Sequence, residues 1–109
     1  MKYPDWTKGK LIYYDYLNHG SKNTNYTLNQ DGYLNAMASS KGCAYIYVYL
    51  NGYPVAFNQS MNNSYDRSSS DCTFIPVKKN DVITFVMWSS RNESPYSTSS
   101  VHCYFYPSK

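Results

Sequence analysis

Residues 82–88 read Val-Ile-Thr-Phe-Val-Met-Trp, a run of strand-forming residues that is apolar on both faces. A strand with one face in water alternates strictly. Here Val82, Val86 and Trp88 on one side oppose Ile83, Phe85 and Met87 on the other. Two more segments share the property: Ala44, Ile46, Val48 and Leu50 oppose Tyr45, Tyr47 and Tyr49, and Cys103 and Phe105 oppose Tyr104 and Tyr106. A chain of 109 residues makes one domain, residues 1–109, and is too small to cover both faces of a sheet by itself. Something else must cover the second face, and a copy of the chain is the expected cover.

The rest of the sequence is written in the same alphabet. Tyr occurs 14 times, Leu, Glu and Ala are scarce, and no segment spaces its apolar residues as an amphipathic helix would. Strands are expected at 10–17, 26–28, 33–38, 43–50, 53–57, 72–77, 82–88 and 101–106. Asn51-Gly52 is a preferred two-residue hairpin turn, and Pro54 places the return strand at an edge or a bulge. Asp31 and Asp81 read as turn formers that accept bonds from nearby backbone amides. About eight short strands, with polar loops at 58–71 and 89–100 and no crossover helices, imply an antiparallel sandwich or barrel.

Reactive chemistry is scarce. The histidines are His19, in the expected polar loop 18–25, and His102, on the last strand. The carboxylates lie mostly in turns; Asp66 and Glu93 sit on the two long loops, but nothing in their spacing argues for a glycosidase pair. Cys43, Cys72 and Cys103 are odd in number and form no Cys-x-x-Cys pair, so they read as buried, reduced hydrophobes. His102 and Cys103 are adjacent on a strand and point to opposite faces, which argues against a shared metal ion. No metal and no cofactor is expected, and the chain reads as a non-enzyme. The net charge of +3 comes from scattered lysines without a basic track, so nucleic acid is not an expected partner. No stretch approaches a membrane span, and the N-terminus shows no apolar segment of signal-peptide length.

A row of Tyr has two uses: it stacks on sugar rings, or it builds a subunit interface at low side-chain entropy. Tyr45, Tyr47 and Tyr49 beside His102, Tyr104 and Tyr106 are expected to form a contiguous patch larger than a monomer exposes, and hence an oligomer interface. The loops supply the candidate ligand residues Tyr65, Asp66, Arg67, Arg91, Glu93 and Tyr96. Ser and Asn around them adapt to hydroxyls, Tyr offers a stacking plane, and Arg offers a fork of donors.

The order of Pro4-Asp5-Trp6-Thr7-Lys8-Gly9, Asp31-Gly32-Tyr33, Tyr49-Leu50-Asn51-Gly52, Phe74-Ile75-Pro76-Val77-Lys78-Lys79-Asn80-Asp81 and Cys103-Tyr104-Phe105-Tyr106-Pro107 resembles a known family. It is similar to the head domains at the tips of bacteriophage tail fibres and related prophage proteins. These resemble in fold the trimeric jelly roll of complement and tumour-necrosis-factor-like proteins. Asn80 stands where that family's turn usually has Gly, and Asn is the next most tolerant residue of a left-handed conformation.

The resemblance implies an antiparallel jelly-roll sandwich, a homotrimer with one sheet packed around a threefold axis, and the three two-faced strands as that inner sheet. It further implies a virion-borne receptor-binding head, made in the bacterial cytoplasm, that recognises a bacterial surface glycan or protein. Two other readings stand beside it. One is a monomeric carbohydrate-binding module that uses the Tyr face; the other is a small glycan hydrolase.

Overall fold

The computed structural model describes residues 3–61, 68–90 and 98–109, with side chains left out of account at 61 and 68–73. A short 3-10 turn, Trp6–Lys8, is followed by eight strands. They are β1 (Lys10–Leu17), β2 (Gly20–Thr27), β3 (Gly32–Lys41), β4 (Cys43–Leu50), β5 (Tyr53–Met61), β6 (Ser68–Val77), β7 (Val82–Ser89) and β8 (Thr98–Pro107). They form two four-stranded antiparallel sheets, ordered β1-β8-β3-β6 and β2-β7-β4-β5. That interleaving of early and late strands is the jelly-roll sandwich.

The core follows from period-two alternation. Leu34, Ala36, Ala38, Val101, Cys103 and Phe105 from one sheet meet Ile46, Val48, Ile83, Phe85 and Met87 from the other, all buried. Tyr13 from the edge strand β1 stacks flat on Phe85, with ring centroids 4.6 Å apart. Towards one end the filling becomes polar: Ser40, Asn58, Ser60, Ser89 and Ser99 are buried. There Ser40 donates to the Asn58 side-chain oxygen, and the Ser89 hydroxyl donates to the Asn18 carbonyl at 2.7 Å.

The opposite end is knit by turns. Asn51, at φ 50°, and Gly52, at φ 87°, make the β4–β5 hairpin, and Asn80, at φ 77°, sits in the β6–β7 turn. The Asp81 carboxylate accepts from the Lys78 amide at 2.9 Å and from the Asn51 side-chain amide at 3.0 Å. Asp31 accepts from the Lys79 amide at 2.8 Å, and the Asn51 oxygen accepts from the Val82 amide at 2.9 Å. Asp81 is therefore a turn former, as its sequence context implies, whereas Asp31 bonds an amide of a different turn rather than a nearby one, and together they tie three separate turns. β5 lies at an edge and also carries an irregularity opposite Val48/Tyr49, so Pro54 is accommodated in both ways.

Four expectations need correction. The polar segment before residue 26 is strand: β2 begins at Gly20 and pairs with β7 residue by residue through Thr27. Its side chains are polar because it is an edge strand whose outer face needs no apolar residues. β3 does not break at Ser39 but runs to Lys41, and only Gly42, at φ 71°, turns the chain. β5 and β6 extend to Met61 and from Ser68 into the expected loop, because backbone pairing tolerates Ser and Asn. Finally, β8 does not join β4 and β7 in one sheet. Alternation shows that a strand is two-faced; it does not show which strand lies beside it.

Candidate functional site

The last correction divides the aromatic patch. Tyr45, Tyr47 and Tyr49 lie on the outer face of β2-β7-β4-β5, whereas His102, Tyr104 and Tyr106 lie on the outer face of β1-β8-β3-β6. The two sets stand on opposite sides of the sandwich and cannot form the contiguous surface expected of them.

The first face is built by cross-strand register. Trp88 lies opposite Ser21 and Tyr45, and Tyr45 lies opposite Gln59. In the next row Val86 lies between Asn23 and Tyr47, and Tyr47 lies opposite Phe57. A third row sets Asn25, Thr84 and Tyr49 side by side. The rings touch one another along and across the strands. Tyr45 stacks on Trp88 at 5.4 Å, meets Tyr47 edge-on at 5.4 Å, and Tyr47 in turn stacks on Tyr49 at 5.9 Å. Phe57 leans on Tyr47 with centroids 4.4 Å apart. Thr84 donates to the Asn25 side-chain oxygen at 2.9 Å, which leaves the Asn25 amide hydrogens directed away from that bond. Among the described residues, no Asp, Glu, Lys or Arg stands on this face.

The second face differs in kind. Leu11, Tyr14, Tyr16 and Phe74 are exposed on it, and Trp6, 63 % exposed, folds over its lower end. Trp6 stacks on Phe74 at 5.5 Å and meets Tyr106 edge-on at 5.1 Å, while Tyr33 stacks on Phe74 at 5.7 Å. Tyr14 tilts against His102 with ring centroids 4.5 Å apart. Leu11, Met37 and these rings make a mixed aliphatic and aromatic surface, without the row of amides that borders the first face.

The candidate ligand residues Tyr65, Asp66, Arg67, Arg91, Glu93 and Tyr96 lie outside the described residues. The strands that bracket them end together: Met61, Ser68, Ser89 and Thr98 are all at the end of the sandwich that also carries Asn18, His19 and Gly42. Sequence reasoning missed the amides of β2, Asn23 and Asn25, because their segment read as a loop.

At the open edge between the sheets, the Tyr13 hydroxyl donates to Asp15 at 2.6 Å, and Lys22 pairs with the same carboxylate at 2.6 Å. Burial of Tyr13, with the Asp15 carboxylate beside it, pushes its phenol up to about 12. Burial alone would raise Asp15, but bonds from Lys22, Tyr13 and the Tyr16 amide hold it below the usual carboxylate range. This trio clasps β1 to β2. Cys43 and Cys103 are free thiols, and among the described residues no group of three His, Cys, Asp or Glu could hold a metal ion.

Burial pushes the Cys103 thiol up to about 12. Its neutral form is favoured by folding, so its contribution to stability is complete below the unfolded pKa near 9 and is lost between there and about 12. Alkylation at neutral pH is accordingly expected to leave Cys103 unmodified in the native protein and to label it after denaturation. Peptide mapping by mass spectrometry reads this directly, and rapid labelling of the native chain would contradict the burial.

No protein-family model matches the sequence, and no curated protein matches it. Solved structures similar to this chain include dimeric latent PorU from Porphyromonas gingivalis, at 8 % identity and a TM-score of 0.49. Another is the insecticidal delta-endotoxin Cry8Ea1 from Bacillus thuringiensis, at 12 % identity and a TM-score of 0.46. Each match covers 86 % of this chain, which spans 11 % of the PorU chain and 19 % of the Cry8Ea1 chain.

Proposed function

We propose that this domain is a non-enzymatic adhesive module that binds a neutral glycan on the outer face of β2-β7-β4-β5. The carrying observation is the uncharged row Trp88, Tyr45, Tyr47, Tyr49 and Phe57, bordered by Asn23, Asn25 and Gln59. A sugar ring presents an apolar face of C–H groups, which stacks on an aromatic ring, and a rim of hydroxyls, which amides satisfy as both donor and acceptor. Charges are not needed for such a ligand, and the face has none among its described residues.

The opposite face, with Trp6, Leu11, Tyr14, Tyr16 and Phe74 exposed, is the surface for self-association in this reading. It supplies the apolar patch that an oligomer covers. A homotrimer would then carry three weak glycan sites on one rigid head, which raises avidity without tight single-site binding. This fits the tail-fibre head of a bacteriophage, with a bacterial surface glycan as the receptor, which is what the sequence resemblance implies. A monomeric carbohydrate-binding module is the second reading. It uses the same face, whose rings and bordering amides all lie on one sheet.

One set of measurements tests both. Tyr47→Ala with Trp88→Ala should reduce binding to a neutral-glycan array by at least tenfold, as loss of two central aromatic contacts does in other interfaces. Light scattering should show the same oligomer for variant and parent. Unchanged glycan binding would remove the site from this face, and a parent that is monomeric at micromolar concentration would select the second reading.

A further inference from the structure

The turn-knit end of the sandwich holds a cavity that none of the preceding chemistry uses. Its volume is about 430 Å³, and it is lined by Asp5, Lys8, Lys10, Gln30, Phe105, Pro107 and Ser108. That size lies within the range of small-ligand sites. Lys10 is opposite Phe105 across the β1–β8 pair, so it stands on the inward side of an edge strand, near its start.

The lining is fixed by backbone bonds. The Asp5 amide donates to the Pro107 carbonyl at 2.8 Å, the Lys8 amide donates to the Asp5 carbonyl at 3.0 Å, and the Lys109 amide donates to the Tyr3 carbonyl at 2.8 Å. Pro4 and Ser108 pair as an antiparallel bridge. Asp5 is largely occupied by its own turn: one carboxylate oxygen accepts from the Thr7 amide at 3.2 Å and from the Thr7 hydroxyl at 2.7 Å. Its other oxygen reaches Lys8 only at 4.0 Å. Among the described residues, Lys10 and Gln30 have no side-chain partner. The cavity thus combines an apolar floor of Phe105 and Pro107 with two ammonium groups against one carboxylate, and an amide left free.

We propose that this cavity binds an anionic sugar or polyol unit, a uronic acid carboxylate or a polyol phosphate, whose charge is met by Lys8 and Lys10. Gln30 and Ser108 take its hydroxyls, and the floor takes its carbon skeleton. Ammonium groups meet either anion as point charges, so both sources share one chemistry. The site lies at the other end of the sandwich from the loop-bearing end. It differs from the neutral face described above in both charge and residues, so either can fail without the other.

The test is a heteronuclear NMR titration of the intact chain with glucuronate, glycerol 1-phosphate and glucose. One or both anions should shift the Lys8, Lys10 and Gln30 amide signals in a saturable way, and comparison of the two identifies the source. Glucose should not shift them at the same concentration, and added salt should weaken the effect as screening predicts. Lys8→Gln with Lys10→Gln should weaken anion binding at least fivefold at unchanged Tm, and Gln30→Ala should weaken it with the charges intact. No saturable shift with either anion, an equal shift with glucose, or full affinity in the double lysine variant would overturn the proposal.

Discussion

Phe85→Ala is expected to cost the domain about 3–5 kcal/mol, the range found for deletion of a fully buried aromatic ring. Phe85 is 1 % exposed and occupies an interior strand, between Thr24 of β2 and Val48 of β4 in register. Its ring lies parallel to that of Tyr13 across the sandwich, at an interplanar angle of 4°. Two effects add when it is removed: the transfer energy of the ring is lost, and a void remains. The void cannot close easily, because Tyr13 is held by its hydroxyl bond to Asp15 and does not drop into the space. A domain of this size has a total stability on the order of 5–15 kcal/mol, so the variant approaches the unfolding threshold. Urea unfolding should show a midpoint shifted strongly downward with little change in slope. A loss below about 1 kcal/mol would mean that the neighbouring rings repack, contrary to the anchored position of Tyr13.

What alternation can encode, the sequence shows clearly. Ile83, Phe85 and Met87 are buried, and Val82, Val86 and Trp88 are on the outer side, because side-chain direction in a strand is a local property with period two. The Asn51-Gly52 hairpin, the Asp81 turn and the position of Pro54 are equally local, and each is found where expected. Strand neighbours are not local. β8 carries the same two-faced pattern as β4 and β7, yet it lies in the other sheet and pairs with β1 and β3. Hence the Tyr rows of β4 and β8, which read as one patch, face away from each other. β2 was hidden for a different reason. Ser21, Asn23 and Asn25 are the composition of a loop, and only the backbone ladder with β7 makes them a strand. The polar half of the candidate glycan face was lost with it. The cavity at Lys8, Lys10 and Gln30 is assembled from the lead-in, β1, the β2–β3 connection and the C-terminus, so no single segment of sequence announces it.

Gly32→Ala is expected to destabilise the fold by about 2–3 kcal/mol, although the change is one methyl group. Gly32 opens β3, pairs with Pro107 of β8 on one side and with Val77 of β6 on the other, and is buried. A Cβ built there would lie well inside contact distance of the Tyr106 carbonyl oxygen and 2.5 Å from the end of the Phe105 ring. The ring could turn at a cost, but the carbonyl is part of the β8 backbone, which the β3 ladder holds here and the Asp5 amide ties at Pro107 next to it. Relief therefore requires the start of β3 to move away from the end of β8. That movement would also disturb Asp31, next in sequence, and its bond to the Lys79 amide, which links this corner to the β6–β7 turn. The same corner supplies Phe105 and Pro107 to the floor of the basic cavity. Thermal unfolding should show a Tm lowered by about 8–24 °C, at about 4–8 °C per kcal/mol for a domain near this size. Hydrogen exchange should quicken first at the start of β3 and the end of β8, before the central residues of β4 and β7 respond. A Tm equal to that of the parent would show that the two strands are not in close contact at Gly32, and that the register of β3 against β8 is wrong at this end.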